Sequence, residues 1–128
     1  MRFLNSKLKI ENTILQNIAK KYGTPAYCYS YKQLRENINN FKKNFKSISP
    51  LICFAIKSNT NLNLIKEIKK FGLGADVVSM GELMLALKAG ISPRKIVFSG
   101  VGKTSKEINF AIDKNLSLIH ISEPTRPR

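Results

Sequence analysis

Strand-like runs recur along the chain at a nearly constant spacing, and each is followed by the pattern of a single helix. From the start of one run to the start of the next, the steps are 26, 24, 20 and 21 residues. The runs cover residues 25–30, 51–57, 75–79, 95–99 and 116–121. Strands that alternate with single helices, and that are as apolar as LICFAI, are typical of a parallel sheet covered by helices. Right-handed crossovers then allow an open doubly wound sheet or a closed barrel, and periodicity alone does not separate them.

Helix starts are marked by polar residues at regular spacing. Three helices are predicted to begin with a capping box, in which two side chains three positions apart bond each other's backbone N–H groups. The pairs are Ser30 with Gln33, Ser79 with Glu82, and Thr104 with Glu107. A further helix is predicted from about Asn61 to the glycine at position 72. A short amphipathic helix is predicted over residues 13–22, and residues 1–12 are expected to form a loosely held terminus.

Length limits what this repeat can be. The chain has 128 residues, enough for one globular domain, whereas a complete eight-stranded α/β barrel takes about 250 residues. If the repeat belongs to a barrel, the sequence therefore holds only a piece of one.

The last dozen residues break the repeat. From Ser117 onward, SLIHISEPTRPR brings two prolines and two arginines to a place where a strand end and another helix are expected. The segment is similar to translated sequencing-adapter read-through, and we interpret residues 117–128 as a non-native tail, with a native basic tail as the alternative. Leaving the tail out of site predictions also removes His120, the only histidine.

The composition is strongly basic, with 22 Lys and Arg against 8 Asp and Glu and a formal net charge of +14. Such a charge is compatible with nucleic-acid binding. However, Lys66 and Lys69 fall on the polar side of one predicted helix, while Phe41 and Phe45 have core spacing and do not form stacking platforms among basic residues. We therefore predict solvated helix faces and no nucleic-acid partner, with a basic RNA-binding domain as the alternative.

Sequence signals for metal and membrane sites are missing. Cys28 and Cys53 are 25 residues apart with no C-x-x-C pair, so a zinc site with about four ligands is not indicated. The longest apolar stretch, residues 51–56, is far shorter than the ~20 residues that span a bilayer. The first residues also lack the continuous apolar segment of a secretion signal. We predict two buried cysteines, no metal site, no membrane contact and a cytoplasmic location.

Two charged residues stand at the ends of predicted strands. Lys57 follows six consecutive apolar residues and precedes a polar turn, which puts its amine at the carboxyl end of a strand, where α/β folds place their chemistry. Partial desolvation there would favour the neutral amine, the form that makes a Schiff base. Asp76 is similarly placed on the next strand. From spacing alone, a lysine that points into solvent is the favoured arrangement, and Asp76 could equally form a structural ion pair.

Four separated segments give the chain a family resemblance. They are residues 23–29 (GTPAYCY), 54–59 (FAIKSN), 74–83 (GADVVSMGEL) and 96–104 (IVFSGVGKT). In order and spacing these segments resemble the fold-type III pyridoxal-phosphate-dependent decarboxylases, and among them the diaminopimelate decarboxylase family. The departures are mild, since the family usually has Ala at the position of Ser58 and Gly at that of Met80.

This resemblance implies a fold and a site. The fold is the N-terminal part of a (β/α)8 TIM barrel of the alanine racemase type, truncated after about four strands. Lys57 is implied to carry pyridoxal 5'-phosphate, with Asp76 and Ala55 also near the cofactor. The implied domains are an N-terminal helix and first strand (1–30), a partial cofactor-binding barrel (31–116) and the tail.

The resemblance also implies a reaction, the decarboxylation of meso-2,6-diaminopimelate to L-lysine and CO2 in a homodimer. Related decarboxylases of ornithine, arginine or carboxynorspermidine, and a non-catalytic barrel that binds pyridoxal phosphate, are the alternatives. The family's glycine-rich phosphate loop and its cofactor-stacking histidine have no counterpart in these residues. A half barrel also leaves unpaired strand edges. We therefore predict that this piece alone is inactive.

Overall fold

The computed structural model of the chain describes residues 2–4 and 7–120. The chain divides into two compact units, Met1–Ser49 and Pro50–Arg128. Each unit has its own sheet, and only the second contains the strands expected to carry the site.

The first unit begins with a small antiparallel sheet and continues with two helices. Strands β1 (Arg2–Leu4), β2 (Lys7–Ile10) and β3 (Thr13–Ile14) lie in that order. Helices α1 (Leu15–Tyr22) and α2 (Tyr31–Asn44) follow. The helix predicted over residues 13–22 is therefore confirmed from Leu15 onward.

The loosely held terminus expected over residues 1–12 is wrong where the structure describes it, because β2 and β3 form a tight hairpin there. Ile10 pairs with Thr13, so Glu11 and Asn12 alone make the turn. Two-residue hairpin turns need positive φ, and Glu11 has a φ of 51°. The Asn-Gly or Asp-Gly pair that usually marks such a turn is absent, and the sequence therefore hides the hairpin.

Residues 25–30, predicted as a strand, form no ladder with any described strand. A strand is held by hydrogen bonds to a neighbour, and its own pattern of apolar residues cannot replace them. The segment therefore runs to α2 without regular structure.

The start of α2 is capped differently from the prediction. Ser30 accepts a hydrogen bond from the Gln33 amide at 3.0 Å, but the Gln33 side chain donates to Asn37 at 2.9 Å and does not reach back. Instead, the Glu11 carboxylate accepts from the Ser30 hydroxyl and the Lys32 amide, both at 2.8 Å. These bonds hold the pKa of Glu11 below its usual value, the Lys32 amide having the largest effect. A carboxylate from the hairpin turn therefore completes this cap.

The second unit is a four-stranded parallel sheet with three connecting helices. Its strands are β4 (Cys53–Ala55), β5 (Gly74–Val77), β6 (Ile96–Phe98) and β7 (Leu118–Ile119). Its helices are α3 (Leu62–Lys70), α4 (Met80–Lys88) and α5 (Ser105–Asp113). The predicted parallel sheet is thereby confirmed. Of the expected non-native tail, residues 121–128 lie outside the described residues.

Strand order separates the two folds that the sequence repeat leaves open. A doubly wound sheet reverses its strand order at a switch point, whereas β4 to β7 lie side by side in chain order. The fully buried side chains of the sheet all lie on one face, namely those of Ala75, Val77, Ile96 and Phe98. Helices that cover one face of a sequentially ordered parallel sheet form the wall of a barrel.

The core lies between that face and the helices. Phe98 packs in one cluster with Ile65 of α3, Leu83 of α4 and Ala111 of α5, all with 0% exposure. Complete burial of a large apolar side chain stabilises a fold by roughly 1.5–3 kcal/mol. This cluster therefore fixes the strands whose ends carry the candidate site.

Two of the three remaining helix starts agree with the predictions in full. Asn61 caps α3, which ends before Gly72 at a φ of 76°. Thr104 and Glu107 form the reciprocal capping box of α5. At α4, Ser79 accepts from the Glu82 amide, but the Glu82 carboxylate accepts from Val78 at 2.9 Å. The predicted capping box of α4 is therefore only half formed, because Glu82 reaches one residue past the cap.

Candidate functional site

Lys57 lies at the carboxyl end of β4, in a short 3-10 turn over Ile56–Ser58. Ile56 is fully buried, and the Ser58 hydroxyl donates to the Ala55 carbonyl at 2.7 Å. The backbone around Lys57 is therefore held on both sides, while its side chain is exposed. The partial desolvation expected for this amine is not supplied by the described residues.

Opposite the helices, the sheet has a second face that we call the uncovered face. Its side chains are half-buried or exposed and belong to Cys53, Ala55, Asp76, Val97 and Leu118. Strand pairing aligns Ala55 with Asp76, Asp76 with Val97, and Val97 with Leu118. Paired residues of neighbouring strands share a face, so the structure brings Ala55 and Asp76 side by side.

Asp76 is the acidic group of the uncovered face. Its carboxylate accepts a hydrogen bond from the Ser99 hydroxyl, which comes from the end of β6. Within the described residues no ion pair joins Asp76 to Lys57. The two predicted site residues thus lie on or just after neighbouring strands, toward the same end of the sheet, with no ion pair between them in the described part of the chain.

The negative charge of Asp76 affects the pKa of a neighbouring thiol, that of Cys53. Cys53 lies two residues before Ala55 on the uncovered face and is half-buried. Burial raises the pKa of the Cys53 thiol, and the negative charge of Asp76 raises it further. The expectation of two buried cysteines is corrected, because Cys28 and Cys53 are both half-buried and free.

The loops at the carboxyl ends of the strands are tied together by Glu107. One of its carboxylate oxygens accepts from the Thr104 amide and hydroxyl, both at 2.9 Å, and the other accepts from the Met80 amide at 3.1 Å. These bonds, with that of the Thr104 amide largest, lower the pKa of Glu107. One carboxylate therefore holds the N-termini of both α4 and α5.

Two more contacts join these loops. A Cβ on Gly100 would lie 2.2 Å from the Val78 carbonyl oxygen, so the loops after β5 and β6 touch at a position that only glycine fits. The Lys103 ammonium donates to the carbonyls of Gly100 and His120, which ties β6 to the end of β7.

Sequence reasoning missed these roles of Ser99, Lys103 and Glu107. Ser99 had a signal, since it follows Val97 by two residues on the same face, and Glu107 was predicted only as the partner of Thr104 in a capping box.

The described residues fit one end of a pyridoxal cofactor. An exposed primary amine is what an aldehyde needs for condensation, and Lys57 supplies one beside a sheet face that carries a carboxylate. The N-termini of α4 and α5 are occupied by the carboxylates of Glu82 and Glu107. The negative charges of these carboxylates disfavour a phosphate at the two helix starts.

Other kinds of site find little support in the part of the chain that is described. Residues 2–4 and 7–120 contain no group of three or more His, Cys, Asp or Glu side chains that could hold a metal ion. None of the helices found there is long and apolar enough to cross a bilayer.

Comparison with known proteins places this arrangement in a family. A family model described as pyridoxal-dependent decarboxylase, pyridoxal binding domain, matches residues 31–125. The curated diaminopimelate decarboxylase of Aquifex aeolicus is 41% identical over 121 residues, covering 94% of this chain and 28% of the relative.

Solved structures agree with that match. Diaminopimelate decarboxylase from M. jannaschii superposes with a TM-score of 0.89 at 32% identity, over 94% of this chain and 29% of that one. The Helicobacter pylori enzyme complexed with L-lysine superposes with a TM-score of 0.78 at 40% identity, over 82% of this chain and 27% of that one. The chain therefore spans less than a third of the length of these relatives. Since the family match also covers most of this sequence, the chain belongs to the pyridoxal-dependent decarboxylases and carries part of their pyridoxal-binding domain.

Proposed function

We propose that the protein to which this chain belongs removes CO2 from meso-2,6-diaminopimelate and yields L-lysine. The observation that carries the proposal is an exposed amine, that of Lys57, at the carboxyl end of a barrel strand in a chain of this family. The named relatives support the substrate, since those from A. aeolicus and H. pylori are diaminopimelate decarboxylases at about 40% identity and one structure holds L-lysine.

Three residues of this chain form the proposed site. Lys57 supplies the amine that binds the cofactor aldehyde, Asp76 supplies a negative charge on the uncovered face, and Ala55 leaves room beside it. Pyridoxal phosphate, when bound, would supply the electron acceptor that a decarboxylation needs. The short side chain of Ala55, aligned with Asp76, keeps the approach to the carboxylate open.

The site proposal is tested on the protein expressed from its complete reading frame. Borohydride treatment in the presence of pyridoxal phosphate should leave a pyridoxyl group on Lys57, detected by peptide mass spectrometry. Lys57→Ala should abolish the adduct, whereas Lys66→Ala, which changes an exposed lysine of α3, should leave it intact. An adduct that persists on another lysine in Lys57→Ala would overturn the assignment.

Substrate choice needs a separate measurement. CO2 release should be fastest with meso-2,6-diaminopimelate and at least about tenfold slower with ornithine or arginine, since a site that pairs a polar group rejects substrates that lack it. Faster release from ornithine, arginine or carboxynorspermidine would assign the protein to a related decarboxylase. Cofactor binding without CO2 release from any of them would indicate a non-catalytic carrier.

Assembly and location are proposed on the same basis. Kinship with the decarboxylases supports a homodimer in the cytoplasm, and sedimentation of the purified full-length protein tests the first part. A monomer at micromolar concentration that still binds cofactor and releases CO2 would contradict the dimer.

A further inference from the structure

The Asp76 carboxylate is held by one side chain of the described residues. The Ser99 hydroxyl donates to its Oδ1 atom. Within residues 2–4 and 7–120 the other oxygen, Oδ2, accepts no hydrogen bond. One oxygen of the carboxylate is thus fixed and the other remains available.

Backbone geometry places Ser99 where this bond can form. The Ser99 amide donates to the Val77 carbonyl at 3.0 Å and so continues the ladder of β6 beyond Phe98. Ser99 follows Val97 by two residues, and Val97 is the strand partner of Asp76. The hydroxyl therefore points to the uncovered face, and both it and the carboxylate are half-buried.

The other described neighbours of Asp76 do not donate to its carboxylate, and the nearby Cys53 thiol donates instead to the Lys95 carbonyl at 3.8 Å. Ala55 and Val97, its partners on either side in the sheet, have no polar side-chain atoms. Gly100, immediately after Ser99, packs against the Val78 backbone and keeps the end of β6 in place. The rotation of the carboxylate therefore depends on Ser99.

We propose that Ser99 is a positioning residue of the cofactor site. Its hydroxyl holds Oδ1 of Asp76, so that Oδ2 stays available on the uncovered face and can accept a hydrogen bond from the protonated nitrogen of the Lys57 side chain. This inference rests on the proposed cofactor site and assigns Ser99 a role within it. The Lys57→Ala experiment does not test that role.

The first experiment measures cofactor affinity without turnover. Pyridoxal phosphate is titrated into the cofactor-free, full-length protein, and the apparent Kd is read from absorbance. Ser99→Ala should weaken binding about tenfold, as expected when a hydrogen bond to a charged group is lost. Ser99→Thr, which keeps the hydroxyl, should bind within about twofold of the parent. Equal affinity for the Ala variant and the parent would overturn the proposal.

A double-mutant cycle separates positioning from general damage to the fold. If Ser99 acts through Asp76, Ser99→Ala should have no further effect on the apparent Kd in an Asp76→Ala background. Additive losses would contradict that role. Should Ser99→Ala fail to fold, Ser99→Cys takes its place in the cycle, because a thiol is a weak donor of similar size.

The borohydride adduct makes the two possible failures distinguishable. If the pyridoxyl group is found on Lys57 while Ser99→Ala binds cofactor like the parent, only the role of Ser99 is refuted. If no pyridoxyl group forms on Lys57 in the parent, the proposed function itself is refuted.

Discussion

The two faces of the parallel sheet differ in what their side chains do. On the helix-covered face, Ala75, Val77, Ile96 and Phe98 are all fully buried. On the uncovered face, Asp76 and Val97 are only half-buried although they belong to the same two strands, β5 and β6. Because side chains alternate along a strand, each strand contributes both to the core and to the site. Alternate residues of each strand therefore stabilise the core or form the site, although the strands are only three or four residues long.

The sharpest test of this division compares neighbours on β6. Phe98→Ala should cost about 3–5 kcal/mol, since it opens a cavity between the sheet and the helices. Val97→Ala, on the uncovered face, should cost about 1 kcal/mol. Urea unfolding of the full-length protein and both variants measures the two losses. Equal losses would show that the faces do not differ in their contribution to stability.

A second test concerns the loops that follow β5 and β6, beyond the ends of both sheet faces. Gly100→Ala would place a Cβ 2.2 Å from the Val78 carbonyl oxygen, and the backbone must shift to admit it. Overpacking of this kind costs roughly 1–3 kcal/mol. Gly102→Ala serves as a comparison, because no atom lies within 4 Å of a Cβ there and the strain arises only from its φ of 68°. If Gly100→Ala unfolds at the same urea concentration as the parent, the loops do not depend on their close approach.

Much of the second unit was predictable because its signals are local. Apolar runs gave the strands, and residues such as Asn61 and Thr104 marked helix starts. The choice between a barrel and an open sheet was not predictable from periodicity, since it depends on which strands become neighbours. The family resemblance pointed to the barrel, and the strand order confirmed it.

The missed features depend on residues that are far apart in sequence. Glu11 caps a helix 21 residues away at Lys32, and Glu107 bonds the Met80 amide 27 residues away. Neither contact follows from a spacing rule, because the fold itself brings the groups together. The position of Lys57 at a strand end was predictable, and its exposure agrees with the arrangement that spacing alone favoured. The desolvation expected of a site lysine was not predictable, because it depends on what surrounds the sheet.

The role of Glu107 leads to a pH dependence. Its pKa is lowered from 4.5 by hydrogen bonds to the charged carboxylate. A lowered pKa means that the stabilisation is complete above the ordinary value and is lost as the pH falls through the lowered one. The difference in thermal midpoint between the parent and Glu107→Gln should therefore be largest near pH 7 and shrink below about pH 4.5.

Another glutamate, Glu36, provides the control for this prediction. Glu36 lies on an exposed helix face and contacts Lys32 at 3.9 Å, so Glu36→Gln should change the thermal midpoint little at any pH. A difference for Glu107→Gln that stays constant from pH 7 to pH 3 would show that its carboxylate charge does not hold the two helix starts.

The smallest expected effect measures the charge on the uncovered face. Asp76→Asn removes a negative charge that raises the pKa of the Cys53 thiol, so the thiolate fraction of Cys53 should rise at a given pH. Because burial remains the larger cause of the raised pKa, the gain in alkylation rate should be only on the order of twofold. Iodoacetamide labelling of the cofactor-free, full-length protein at pH 8, read by mass spectrometry with Cys28 as the internal reference, measures it. A Cys53 rate that is unchanged relative to Cys28 would show that the charge of Asp76 does not act on the Cys53 thiol.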